Sequence, residues 1–154
     1  MKKMRFGSTL VFACVLAYAG GQSFASTDDA LEQGLEAYEA GDFATALEVW
    51  RPLAEAGGNE AQYHLGVMND SGHGTVQNYG AALEWYRKAA NSGSSNAMFA
   101  VGNLYANGFG VGKDRAEARR WYCRAAKLGH KQATEMLNQD PSEICSEKGQ
   151  GSPR

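Results

Sequence analysis

The sequence predicts an all-α fold, a solenoid in which short helical hairpins stack one on the next. Two observations carry this. A register of matching residues returns every 36 positions, and within each period small and apolar side chains recur at helical spacing between glycines. Composition agrees, since 44% of the 154 residues are hydrophobic and 21% are charged, as a folded domain requires. The 19 glycines are many for a plain helical bundle, but they are spread along the chain rather than gathered into a linker. A formal net charge of −2 argues against a strongly basic nucleic-acid binder.

Taken in order, residues 1–25 read as a targeting segment. Lys2, Lys3 and Arg5 precede the apolar run Phe6–Ala19, and Ser23–Phe24–Ala25 closes it with small residues. This is the layout of a secretory signal peptide cleaved between Ala25 and Ser26. The run of roughly 14 residues falls short of the ~20 that a membrane-spanning helix needs. Lipidation at Cys14 would place the bulky Phe12 just before the acylated residue. Soluble export, to the periplasm or out of the cell, is therefore expected, with an anchored helix and a lipoprotein as alternatives.

Without residues 1–25 the chain keeps 12 basic side chains against all 17 acids, and these are not mixed. Residues 26–70 hold ten acids and only Arg51, whereas residues 113–131 hold seven Lys and Arg against Asp114 and Glu117. The expected mature chain is acidic early and basic late.

The repeat domain is expected over 26–148. A degenerate first hairpin, 26–58, pairs Ala30–Ala40 with Phe43–Ala56 across Gly41–Asp42, and Pro52 should bend its second helix. The unit at 59–94 places Ala61, Leu65 and Met68 on one stripe of Glu60–Asp70. Its second helix starts near Asn78 and carries Ala82, Trp85, Tyr86, Ala89 and Ala90. The unit at 95–130 repeats this with Ala97, Val101 and Leu104 over Asn96–Tyr105. Asp114 then leads into Ala118, Trp121, Tyr122, Ala125 and Ala126. Asn78 and Asp114 suit the cap of a first turn, and Gly57, Gly93 and Gly129 suit helix ends. Gly72–His73–Gly74 and Gly108–Phe109–Gly110 join the paired helices. Trp85 and Trp121 hold equivalent places and are expected to be framework. A cap over 131–148 comprises Lys131–Asn138, a stop at Asp140–Pro141 and a short turn, followed by a loose tail at 149–154.

The segment Ala97–Tyr105, with Gly108–Phe109–Gly110–Val111, Asp114, Ala118–Ala126 and Gly129, resembles a Sel1-like repeat, a relative of the tetratricopeptide repeat. Residues 60–95 match as well, with Met68–Asn69–Asp70 departing from the usual pattern, and residues 30–58 match more weakly. The resemblance implies a right-handed α/α solenoid in a secreted bacterial protein. It also implies an adaptor role in signalling, envelope or host-interaction assemblies, with no catalytic residues. Some secreted members carry a disulfide in every repeat and are described as penicillin-binding. Here Arg51 and Arg87 stand where Cys123 stands, and Ser-x-x-Lys is missing from the sequence, so that activity does not carry over.

Cys123 and Cys145 remain after removal of residues 1–25, and in an oxidising compartment an even pair is expected to bridge, the alternative being two thiols. His64, His73 and His130 lack the spacing of a zinc helix, and no Cys-x-x-Cys occurs, so neither a metal nor a cofactor is expected. His64 reads as a surface or groove residue and His73 as a solvated turn residue, with a site residue as the alternative. The sequence contains no Gly-x-Ser-x-Gly elbow, and the turn glycines do not follow a strand.

These readings favour an exported adaptor that binds a protein or peptide on a concave face lined by the first helix of each hairpin. Candidate contacts are Tyr63, Asn69, Met98, Asn103 and Asn107, with Met68 at the end of the packing stripe. Tyr63 and Met98 could equally pack between hairpins. A structural or self-assembling envelope component is the alternative, followed by an envelope-acting enzyme for which Asp70 and Asp114 would be the carboxylate pair. Neither nucleic acid nor stable membrane insertion is expected. A monomer is favoured over weak head-to-tail association.

Overall fold

The computed structural model describes residues 26–139 and Cys145. The expected signal peptide, the terminal turn apart from Cys145, and the tail lie outside these residues. Among the described residues the chain is helical throughout and contains no strand. The helices are α1 (Thr27–Glu39), α2 (Phe43–Glu55), α3 (Asn59–Ser71), α4 (Tyr79–Asn91), α5 (Ser95–Asn107), α6 (Arg115–Lys127) and α7 (Lys131–Gln139). They pack in chain order as a solenoid of hairpins, each helix against the one before and the one after.

Local chemistry sets the helix starts. Asn78 Oδ1 accepts from the Ala81 N–H at 3.0 Å, and Asp114 Oδ1 from the Glu117 N–H at 2.9 Å, as their cap positions require. Ser26 and Asp42 do the same for α1 and α2, each at 3.1 Å. Pro52 does not interrupt α2, which continues to Glu55. The turns after α3 and α5 close through Asn78 N–H to Asn69 O at 2.8 Å and Asp114 N–H to Tyr105 O at 2.9 Å.

Two packing devices recur along the stack. The first crosses each hairpin, where a glycine of the first helix lies under an aromatic ring of the second. A Cβ added at Gly34 would stand 2.1 Å from Trp50 Nε1, at Gly66 2.4 Å from Tyr86 Cδ1, and at Gly102 2.5 Å from Tyr122 Cε1. The rings fill the space that a side chain would take, so the helix axes approach closely.

The second device joins neighbouring hairpins. The turn residue His73 stacks on Phe43 at the start of α2, with ring centroids 4.4 Å apart and planes 11° from parallel. One period on, Phe109 stacks on Tyr79 at the start of α4, at 4.7 Å and 18°. The glycine after each stacked ring has positive φ, +69° at Gly74 and +65° at Gly110. A Cβ there would meet Phe43 Cβ at 2.8 Å or the Tyr79 carbonyl carbon at 2.5 Å, so both backbone angle and space require glycine.

Buried side chains form two clusters. Ala46, Trp50, Ala61, Leu65 and Met68 centre the one formed by α1–α3. Tyr86, Val101, Leu104, Trp121 and Tyr122 centre the one formed by α4–α7. Trp121 is buried under Arg124, whose guanidinium carbon lies 4.2 Å from the ring centroid. Trp85 is half-buried, packs against the first cluster and carries Lys88 at 3.9 Å. Cys123, half-buried on α6, is bridged to Cys145, closing a separation of 22 residues. A loop of that size contributes about 3 kcal/mol in the chain-entropy account.

Candidate partner-binding surface

The first helices α3 and α5 are each contacted from two sides, by the partner in the hairpin and by the preceding second helix, so only a narrow strip of each stays open. On α3 the half-buried residues are Tyr63, His64, Val67, Asn69 and Asp70, and on α5 they include Phe99, Asn103 and Tyr105. Tyr86 and Tyr122 reach this strip from beneath, because their rings pass over Gly66 and Gly102. Tyr86 Oη donates to Asp70 Oδ2 at 3.2 Å, and Tyr122 Oη donates to Asn103 Oδ1 at 2.8 Å.

The expected contact residues divide. Tyr63 lies on the strip, its ring tilted against Tyr86 at 5.8 Å. Asn103 lies there too, and Asn107 is exposed at the end of α5, donating from Nδ2 to Asn103 O at 2.8 Å. Asn69 is half-buried and turns its Nδ2 back to Leu65 O at 2.8 Å. Met68 and Met98 do not belong with them. They are 0% and 6% exposed, because the second neighbour of each first helix covers the side they occupy.

The histidines all have aromatic partners, and His73 departs from its expected place. Each stacks on an aromatic ring, His64 on Trp50 at 4.3 Å, His73 on Phe43, and His130 on Phe99 at 4.6 Å. His73 is not a solvated turn residue, since its Nδ1 also shares a 2.8 Å hydrogen bond with Tyr38 Oη. His130 Nδ1 accepts from the Ala133 N–H at 3.2 Å and so caps α7. The ring partners lie on other helices and so escaped sequence reasoning, whereas the His130 cap is local, three residues from Ala133. Asp70 and Asp114, the nominated carboxylate pair, are a tyrosine acceptor and a helix cap. Among the described residues no cluster of His, Cys, Asp and Glu could hold a metal, and no helix is long and apolar enough to cross a membrane.

Burial shapes the electrostatics of the strip. It raises the Asp70 carboxyl above the usual carboxylate value, against the lowering effect of the Tyr86 hydrogen bond. Burial also raises Tyr63, with Asp70 and Tyr38 adding to the effect, and pushes Tyr86 far above the ordinary tyrosine range. His64 moves down from 6.5 because burial disfavours its cation, and Glu60 opposes this only in part. As pH falls, the unfolded chain therefore takes up the His64 proton first. The stability held by neutral His64 is complete above the unfolded value and is lost as pH drops through it toward the lower folded value. Urea midpoints are expected to decline from about pH 7.5 to about pH 5.5. His64→Phe, which keeps a ring against Trp50, should flatten that decline. Asp70 acts in the opposite sense, at lower pH. An unchanged slope in His64→Phe would remove the histidine from this account.

Comparison with known proteins agrees with the geometry. The Sel1 repeat family model matches residues 59–94 and 95–130. One similar solved structure is a protective antigen present in uropathogenic Escherichia coli strains that displays an SLR fold. It is 33% identical, with a TM-score of 0.69 over 74% of this chain and 25% of that one. Another is a Sel1 repeat protein from Oxalobacter formigenes, 31% identical, with a TM-score of 0.69 over 77% of this chain and 49% of that one. The chain thus spans between a quarter and a half of these relatives. A search of curated proteins finds no match. The matched repeats form an all-α solenoid of short helical hairpins. On these grounds the chain is a Sel1-like repeat protein, homologous to bacterial Sel1-repeat and antigen proteins.

Proposed function

We propose that this protein is an exported adaptor, which binds a protein or peptide segment along the face lined by the first helices of its hairpins. The half-buried strip carries this reading. Tyr63 and Asn103 sit there, Asn107 stands exposed at its end, and the rings of Tyr86 and Tyr122 reach it from below. Amphipathic aromatics beside amides are the composition of interface centres. Export rests on the charged and apolar pattern of residues 1–25, and the homology to a protective antigen fits a protein outside the cytoplasm.

Capture from periplasmic extract tests the reading. Wild-type protein should retain a partner that Asn107→Arg combined with Tyr63→Ala releases, at unchanged helicity. Amide exchange of the complex should slow in α3 and α5. Protection confined to α2, α4 and α6 would place the partner on the opposite face and overturn the proposal.

A further inference from the structure

Asp70 is not part of the repeated framework. Gly66, Ala82, Tyr86 and Ala90 return 36 residues later as Gly102, Ala118, Tyr122 and Ala126, whereas Ala106 stands at the position of Asp70. Tyr122, the counterpart of Tyr86, bonds instead to Asn103. The carboxylate is thus an addition to one hairpin, seven residues after Tyr63 and therefore on the same face of α3.

Among the described residues the Asp70 side chain lies beside tyrosine rings and pairs with no cation. The Tyr86 hydroxyl is its one hydrogen-bond partner among the described residues, and that bond goes to Oδ2, leaving Oδ1 open. No ion pair forms on it among those residues, and the groups that interact with it electrostatically are Tyr63 and Tyr86. Tyr38 lies within electrostatic reach of both tyrosines. Over residues 26–70 the wider field is ten acids against Arg51.

We propose that Asp70, with Tyr86 bonded to it and Tyr63 beside it, is a subsite for a lysine or arginine side chain of a basic segment in the protein partner. The proposal rests on the first-helix face being the binding face and names the partner's chemistry there. A cation would neutralise a half-desolvated carboxylate and meet the half-buried ring of Tyr63 beside it. The same chain already uses such contacts internally, with Lys88 on Trp85 and Arg124 on Trp121. The surrounding acidic field would draw a basic segment in and disfavour an acidic one. Desolvation separates this subsite from the exposed acids of α1, whose pairs with a cation would be weak.

Titration of isotope-labelled protein with hexalysine, hexaarginine, acetylated hexalysine and hexaglutamate tests the proposal. Both basic peptides should shift resonances of Tyr63, Asp70 and Tyr86, while the acetylated and acidic peptides should not. Asp70→Asn retains an acceptor for the Tyr86 hydroxyl and relieves a desolvated charge, so it should melt no lower than wild type. Its affinity for the basic peptides should fall by about tenfold or more. Tyr63→Leu, which keeps apolar volume, should weaken binding independently. Basic peptides that bind Asp70→Asn as tightly as wild type, or that shift only the acids of α1, would overturn the subsite, as would failure of both to bind. An extract partner held equally by wild type and Asp70→Asn through α3 and α5 would overturn the subsite alone. A partner protecting neither helix would overturn the adaptor face itself.

Discussion

Replacing Gly66 or Gly102 by alanine is expected to destabilise the solenoid by a net of about 1–3 kcal/mol each. The sign is the informative part, because alanine is the better helix former by about 1 kcal/mol and both sites lie inside helices. At Gly66 the new methyl would stand 2.4 Å from Tyr86 Cδ1 and 3.0 Å from Cγ, at the root of a ring that is 2% exposed. At Gly102 it would meet both the Tyr122 ring at 2.5 Å and the Ala118 carbonyl oxygen at 3.2 Å, so backbone as well as side chain must yield. The hairpin would have to open, and because α3 and α5 each pack on two neighbours, the disturbance would spread to the adjoining hairpin. Urea denaturation of the single and double variants checks this. Variants as stable as wild type would mean that the rings repack freely and that the glycines do not set the helix separation.

Truncating Trp50 to alanine is expected to have a still larger effect, about 3–5 kcal/mol, in a domain whose whole stability is typically ~5–15 kcal/mol. Trp50 is fully buried and touches the helices on both sides of its own. Its Nε1 donates to Leu31 O of α1 at 3.3 Å, its ring stacks on His64 of α3 at 4.3 Å, and Tyr38 lies 5.7 Å away. Its loss would leave a cavity and free a carbonyl, and Gly34 would face empty space. Melting should become broad, with amide exchange in α1 and α2 accelerating before that in α5 and α6, since the two core clusters are separate. A loss below about 1 kcal/mol would show that the first hairpin contributes little to the fold.

What could be read from the sequence follows from which contacts are local. Caps at Asn78 and Asp114, turn glycines and the alanine stripes are set by residues a few positions apart, and the 36-residue register multiplies that signal. The disulfide was legible because an even number of thiols, in a chain expected to be exported, has few alternatives. Contacts across helices were not. The pairs Gly66–Tyr86 and Gly102–Tyr122 each span 20 residues, and the glycines by themselves look like ordinary small residues of a packing stripe. Met98, off the packing stripe, and Met68, at its end, could be read either as contacts or as core, and burial against two neighbouring helices places both in the core. His73 was expected in solvent because nothing in its own turn reveals the Phe43 ring waiting on α2.

That landing ring has a consequence for how such an array can lengthen. Phe43 and Tyr79 each open a second helix and receive the turn of the hairpin that follows, but the third position of this series is Arg115. Arg115 is exposed and presents a flexible cation where a flat ring is needed to seat the next turn. A hairpin duplicated after α7 would therefore find no platform. A copy of residues 59–94 spliced in before Ser95 would seat its own His73 on the original Tyr79 and offer a second Tyr79 to Phe109, leaving every junction satisfied. The order of three residues makes the middle of this chain the place where a unit can be added.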